Sequence, residues 1–239
     1  MKYLFVISGY NCERYVDTCL TSVRRQAVTA WRAAVVDDAS ADGTRQAIEY
    51  YAGQDERIIP ICTKANMGAA YCRWLALQTV RPEPDEVILL LGLDDYLPHE
   101  MVLGRVGLEY ERGAQVTYGS YQFEGGGSWE QAPYPDEVLQ ARSFRTHPWR
   151  CSPLQTFRAS LASHVTPDML QRDGQWIRYC TELAMLFPVL EAAEPGRVHH
   201  IPDVLYTYRR HNHSTLDRFG RAHKREMDRW IRSRASICI

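Results

Sequence analysis

The stretch AAVVDDASADGTRQAIEYY, residues 33–51, decides the fold. An apolar run from Ala33 to Val36 ends in Asp37-Asp38, the cluster Ala39 to Gly43 supplies turn chemistry, and the spacing then predicts a helix from Thr44 to Tyr51. Strand, carboxylates, turn and helix follow one another. The order recurs at VILLLGLDDYLP, residues 87–98, where the strand Val87–Leu91 stops at Asp94-Asp95. Working outward, Tyr3–Ile7 has the length of a strand buried on both faces, and Val16, Leu20 and Val23 place a helix over Glu13–Gln26. Ile58–Cys62 is a further strand, and Gly68–Thr79 a further helix. This alternation predicts an α/β fold: a Rossmann-like, mostly parallel sheet flanked by helices on both faces. Ligands in such sheets bind beyond the carboxyl ends of the strands. Both acidic pairs fall there, so they are expected to meet at one crevice although they lie far apart in sequence.

The 239 residues suffice for one large α/β domain. With 45% hydrophobic and 24% charged residues, disorder is excluded for most of the chain. A formal net charge of -1 gives no global attraction to nucleic acid or membranes. The longest apolar run, Val87–Leu93, is far short of the roughly 20 residues that span a bilayer, and the N-terminus reads as a strand rather than a signal peptide. Seven scattered cysteines without a C-x-x-C pair suggest reduced thiols and a cytoplasmic location.

After Pro98 the alternation ends. A helix is expected near Glu100–Glu111, a strand at Val116–Phe123, a loop at Gly125-Gly126-Gly127, and loop-rich sequence to about Arg150. Leu183, Leu186, Phe187 and Leu190 mark a helix interrupted by Pro188, Val204–Tyr208 a late strand, and Arg218–Arg234 a basic helix. The expected division is residues 1–98 as a ligand-binding half, 99–215 as a second-substrate half, and 216–239 as a C-terminal helix. Trp149, Trp176 and Tyr179 could stack on a sugar or base, or simply fill core.

The acidic pairs admit several uses: metal binding, base recognition or acid/base work. Mg²⁺ and Mn²⁺ favour oxygen ligands and are held by one or two carboxylates together with substrate phosphates, a task that suits Asp94 and Asp95. Capping the turn before Pro98 is the alternative.

Several segments resemble family 2 glycosyltransferases in the same order. Ile7-Ser8-Gly9-Tyr10-Asn11-Cys12-Glu13 is similar to that family's first strand and turn. Val35 to Thr44 resembles its V-D-D-x-S-x-D-G-T signature, Asn66-Met67-Gly68 followed by Arg73 its N-x-G…R segment, and Leu91 to Pro98 its D-x-D-D motif. Tyr208-Arg209-Arg210-His211 with Ser214 resembles its Y-R-x-H-x-x-S segment. The resemblance implies a GT-A fold with an acceptor-side helical region at the C-terminal end. It implies a nucleotide-sugar donor, with uracil as the base, bound by Tyr10, Asn11, Glu13, Asp38, Asn66, Gly68 and Arg73. It also implies Mn²⁺ or Mg²⁺ at Asp94 and Asp95 with support from His211, Glu182 as the general base, and inversion at the anomeric carbon. One position departs from the pattern: Gly92 stands at the first acidic place of D-x-D-D and cannot coordinate.

The basic residues from Arg209 to Arg234 leave two acceptor classes open. One, suggested by similarity to small phage-type members, is a hydroxymethylated pyrimidine in DNA. The other is a glycan or lipid-linked sugar of cell-envelope synthesis. A non-catalytic nucleotide or nucleic-acid binding module is a further alternative.

Overall fold

Strand β1 (Tyr3–Gly9) lies between the two strands that carry the acidic pairs. Tyr3 to Ile7 are 3% exposed or less, so both faces of the strand are covered, and this is why its sequence is continuously apolar. Leu4 and Val6 pack with helices α3 (Ala69–Val80) and α6 (Thr181–Ala192). Tyr3, Phe5 and Ile7 pack with α1 (Glu13–Arg24), α2 (Thr44–Gln54) and α4 (Val102–Glu111). The computed structural model describes residues 1–210 and 215–237, with side chains in the second range from residue 222 onward.

Pairing follows the register that the alternation demands. Strands β2 (Trp31–Asp37) and β4 (Val87–Gly92) run parallel to β1 on its two sides, with Gly9 opposite Asp37 and Ser8 opposite Gly92. Both acidic pairs therefore leave the sheet at one edge. Strand β3 (Ile58–Cys62) extends the parallel set beyond β2. On the other side come β5 (Val116–Phe123), β6 (Ser128–Trp129), β7 (Gln155–Arg158) and β10 (Val198–Tyr208), giving the order β10-β5-β7-β4-β1-β2-β3 with β6 on β5.

Two features differ from the sequence-based expectation. The antiparallel strand β7 sits between β4 and β5, and four residues QTFR are too few to show a period. Strand β10 begins at Val198 rather than Val204. Its pairing with β5 shifts around Pro202 and Asp203, and this break hides the first half of the strand from a pattern reading. Its end is parallel to β5 and meets the exit of β4 through an antiparallel bridge between Tyr96 and Thr207. The intervening chain forms α5 (Asp136–Ala141), two 3₁₀ turns (Ala159–His164 and Pro167–Leu170), and a hairpin of β8 (Gln171–Arg172) and β9 (Gln175–Trp176). Helix α7 (Thr215–Ser233) packs on α6, contributing Met227 and Ile231 to the core. No helix among the described residues is long and apolar enough to cross a membrane.

Candidate active site

The strand ends are joined by reciprocal hydrogen bonds between two loops. The Asn11 N–H donates to Ser40 Oγ at 2.9 Å, and the Ala41 N–H donates to Asn11 Oδ1 at 2.9 Å. Helices α1 and α2 begin side by side without a cap from their own N-cap residues, Cys12 and Gly43. Asp42 serves both instead, accepting the Glu13 N–H at 3.2 Å and the Thr44 N–H at 3.0 Å, while Glu13 accepts the Gly43 N–H at 3.1 Å. This is a capping box shared between two helices. Burial opposes ionisation of Asp42, but the donors from Thr44 and Glu13 prevail and hold its carboxyl below the ordinary aspartate range. Asn11 and Glu13 thus build the loop beside which Tyr10, partly buried, sits.

Asp38 is buried, and its carboxylate accepts four donors. They are the N–H groups of Met67 (2.8 Å) and Gly68 (2.7 Å), Asn66 Nδ2 (3.0 Å) and the Thr63 hydroxyl (3.2 Å). Two carboxylate oxygens offer about four lone-pair sites, so Asp38 is committed to shaping the Asn66–Gly68 turn that opens α3. Gly68, at φ +88°, lies beneath the Arg178 side chain, and a Cβ there would meet Arg178 Cδ at 2.9 Å.

The second acidic pair divides its duties. Asp95 is turned inward, accepting the Arg209 N–H at 2.7 Å and the Tyr206 hydroxyl at 2.5 Å. Burial, reinforced by the neighbouring Asp94 charge, pushes its pKa well above the ordinary aspartate value. Asp94 is partly exposed. At Gly92 a Cβ would lie 2.7 Å from Asp94 Oδ1 and 2.9 Å from Asp95 Oδ2, so carboxylate oxygens fill the space of the missing side chain. The described residues contain no group of three or more His, Cys, Asp or Glu side chains able to hold a metal ion, and His211 lies outside them. Asp94 alone still fits Mg²⁺ or Mn²⁺ chemistry, because these ions take one or two protein carboxylates and complete their shell with phosphate oxygens and water.

Glu182 stands in the first turn of α6. Arg73, buried in α3, donates to Glu182 Oε1 at 3.0 Å and to Thr181 Oγ1 at 3.1 Å. Desolvation pushes the Glu182 pKa up, but the Arg73 charge, a backbone N–H and the Arg73 hydrogen bond outweigh it and set it below the ordinary glutamate value. Glu182 is ionised at neutral pH. Cys12, by contrast, is pushed up to about 12 by burial and by the Asp94 charge, so it is no thiolate nucleophile.

An acidic strand edge, a helix N-terminus opening on it and an ionised glutamate from the second half form one assembly. Residues 5–166 match the family model "Glycosyl transferase family 2". The chain belongs to this family. Among curated relatives of this chain, the putative teichuronic acid biosynthesis glycosyltransferase TuaG of Bacillus subtilis (strain 168) is 28% identical over 116 residues, covering 48% of this chain and 45% of the relative. The putative glycosyltransferase EpsH of the same organism is 30% identical over 92 residues, covering 38% of this chain and 26% of the relative. The chain thus spans less than half the length of either. S. aureus TarS 1-349 in complex with UDP-GlcNAc superposes with a TM-score of 0.66 at 19% identity, covering 90% of this chain and 60% of TarS 1-349. The mannosyltransferase PcManGT from Pyrobaculum calidifontis, in complex with GDP-Man and Mn²⁺, superposes with a TM-score of 0.54 at 16% identity, over 87% of this chain and 56% of that one. Their likeness establishes the GT-A architecture here.

Two residues of the site, Glu124 and Arg178, gave no signal in the sequence, and a third, Arg209, only as part of the Y-R motif. Arg209 is buried. Its guanidinium donates to both Glu124 oxygens at 2.7 and 2.8 Å and to the Asp94 carbonyl at 3.0 Å, pinning the β10, β5 and β4 exits together. Glu124 is the partner of that clamp, and Arg209 holds its carboxyl below the usual range. Arg178 reaches back to Asn66, donating to Oδ1 at 2.5 Å and to the carbonyl at 2.8 Å. The Y-R motif located Arg209; nothing local marks Glu124 or Arg178, whose partners are distant in sequence.

Proposed function

We propose that this chain transfers a sugar from a UDP-linked donor to an acceptor hydroxyl with inversion, using Glu182 as the general base. The observation that carries this reading is the Arg73–Glu182 pair. It delivers an ionised carboxylate to the helix whose N-terminal turn Asp38 shapes, next to the edge where Asp94 emerges. Glu182 accepts the proton of the attacking hydroxyl as the new glycosidic bond forms and the sugar–phosphate bond breaks. Asp94 would hold Mn²⁺ or Mg²⁺, which would supply positive charge against the departing diphosphate. Tyr10 and the turns built by Asn11, Glu13, Asp38, Asn66 and Gly68 form the wall against which the nucleotide rests. The TarS complexes with UDP and UDP-GlcNAc support a uridine donor.

For the acceptor, a cell-surface glycan or its lipid-linked precursor is favoured over hydroxymethylated DNA. The name of the Bacillus relative TuaG points that way. So does the use of several C-terminal basic residues within the protein. Arg232 donates to the carbonyls of Arg145 and His147 and pairs with Asp228, and Arg234 pairs with Asp168. Lys224, Arg225 and Arg229 remain exposed, a small patch for a phosphate backbone.

The test is UDP release from UDP-GlcNAc in the presence of Mn²⁺ and cell-envelope glycan, followed with wild type and Glu182→Gln. The variant should lose on the order of 10²–10⁴ in turnover while calorimetry shows unchanged donor affinity. Equal turnover in the two proteins removes Glu182 from the chemistry. Failure of the wild type to bind any nucleotide sugar removes the transferase reading in favour of a different ligand.

A further inference from the structure

Helix α3 carries more than Arg73. Tyr71, Trp74 and Gln78 recur at a spacing of three and four residues, so they form one stripe down the helix, and Arg81 follows as its C-cap. Trp176, from the hairpin strand β9, packs edge-on against Tyr71 at 5.0 Å between ring centroids and lies tilted over Trp74 at 5.4 Å. All three rings are partly exposed rather than buried. Below them the stripe opens into a groove of about 460 Å³, whose lining includes Trp74, Gln78, Arg81 and Ser163. Arg81 is the one charged side chain among the residues lining it.

The aromatic cluster lies near the site: Trp176 stands six residues before Glu182, and Arg178 between them donates to Asn66. The stripe starts at the turn of α3 that holds Arg73 and hence Glu182, and a helix rises ~1.5 Å per residue, so Tyr71 to Arg81 covers about 15 Å away from the strand edge. Aromatic faces flanked by amide, hydroxyl and guanidinium groups suit the two-sided chemistry of carbohydrate, in which C–H faces stack on rings and hydroxyls meet polar groups. A membrane or a protein partner would call for a broad apolar area instead, whereas this lining mixes Leu77, Pro82 and Val165 with Gln78, Arg81 and Ser163.

We propose that this track binds the already assembled part of an oligosaccharide acceptor, with its terminal sugar at Glu182 and its distal sugars along Tyr71, Trp74 and Trp176 toward Arg81. The proposal rests on the glycosyl-transfer reading and adds to it an acceptor class: an extended glycan rather than a single sugar or a nucleobase. Arg81 suits an acidic group on that chain.

Binding of chito-oligosaccharides (neutral) and hyaluronan oligosaccharides (acidic), each from disaccharide to octasaccharide, is measured by quenching of tryptophan fluorescence and by calorimetry on the full chain. Affinity should rise with length in at least one series, by roughly tenfold or more between the ends. Trp74→Ala and Trp176→Ala should bring the octasaccharide-to-disaccharide ratio toward one, and Trp74→Phe, which keeps a ring, should preserve most of it and controls for folding. Arg81→Ala should lower affinity in the acidic series more than in the neutral one. Affinity independent of length in both series, or an unchanged ratio in both alanine variants, overturns the track. Transfer that survives in Glu182→Gln would sink the base assignment while leaving this titration intact, so the two failures are distinguishable.

Discussion

The two halves of the sheet edge are built by different means. On the side proposed to hold the donor, loops 10–13 and 38–44 are held by hydrogen bonds between backbone N–H groups and short side chains: Asn11 with Ser40 and Ala41, Asp42 with Glu13 and Thr44, Asp38 with Met67 and Gly68. On the side proposed to receive the acceptor, elements are joined by long arginines reaching across the fold. Arg145 pairs with the buried Glu191 at 2.5 Å and donates to the Ile231 carbonyl at 2.7 Å, while Arg178 spans to Asn66 and Arg209 to Glu124. Short polar caps fix geometry locally and cheaply. The largely buried guanidinium clamps of Arg145 and Arg209 hold distant segments in place, and each leaves an uncompensated charge when its carboxylate partner is lost.

That contrast can be broken by mutation. The largest stability effect is expected at Arg145→Ala, which strands the Glu191 carboxylate at 1% side-chain exposure. A loss of about 3–5 kcal/mol is the scale for breaking such a pair, read as a fall in the urea midpoint. A loss below about 1 kcal/mol would show that the acceptor half does not depend on its clamps. Asp42→Ala removes the cap of two helices at once and should cost about 1–2 kcal/mol, with Asp42→Asn recovering part of it. A cost shared by neither variant would mean that the donor loops are held by packing rather than by hydrogen bonds.

The smallest effect is a shift along the pH axis. Because the folded pKa of Glu182 lies below the ordinary glutamate value, the base stays ionised, and turnover should persist, until pH falls through that lowered value. Arg73→Gln removes the charge that opposes burial, so the acidic limb of kcat should move to higher pH. An unmoved limb would separate Arg73 from the protonation of Glu182.

Legibility in the sequence follows the same division. The donor half could be read because its strands are continuous apolar runs ending in carboxylates, and its turns use Asn, Asp, Ser and Gly within a few residues of the groups they bond. Asp94 and Asp95 look equivalent on paper. Their separation into a partly exposed carboxylate and an inward, hydrogen-bonded one depends on Tyr206 and Arg209, which arrive more than a hundred residues later. The family resemblance singles out Glu182, but the direction of its pKa depends on Arg73 from another helix. Glu124 and Arg178 were missed for the same reason, and β7 because its neighbours rather than its own four residues make it a strand.

The bridge between Tyr96 and Thr207 gives the acceptor half its common doorway. Everything between those residues departs from and returns to a single seam, welded by paired amides at 3.2 and 2.8 Å and by the Asp95–Arg209 contact. Because β7 pairs with β4 and Arg178 reaches back to Asn66, a change anywhere inside this excursion is transmitted to the strand edge as well as to the seam.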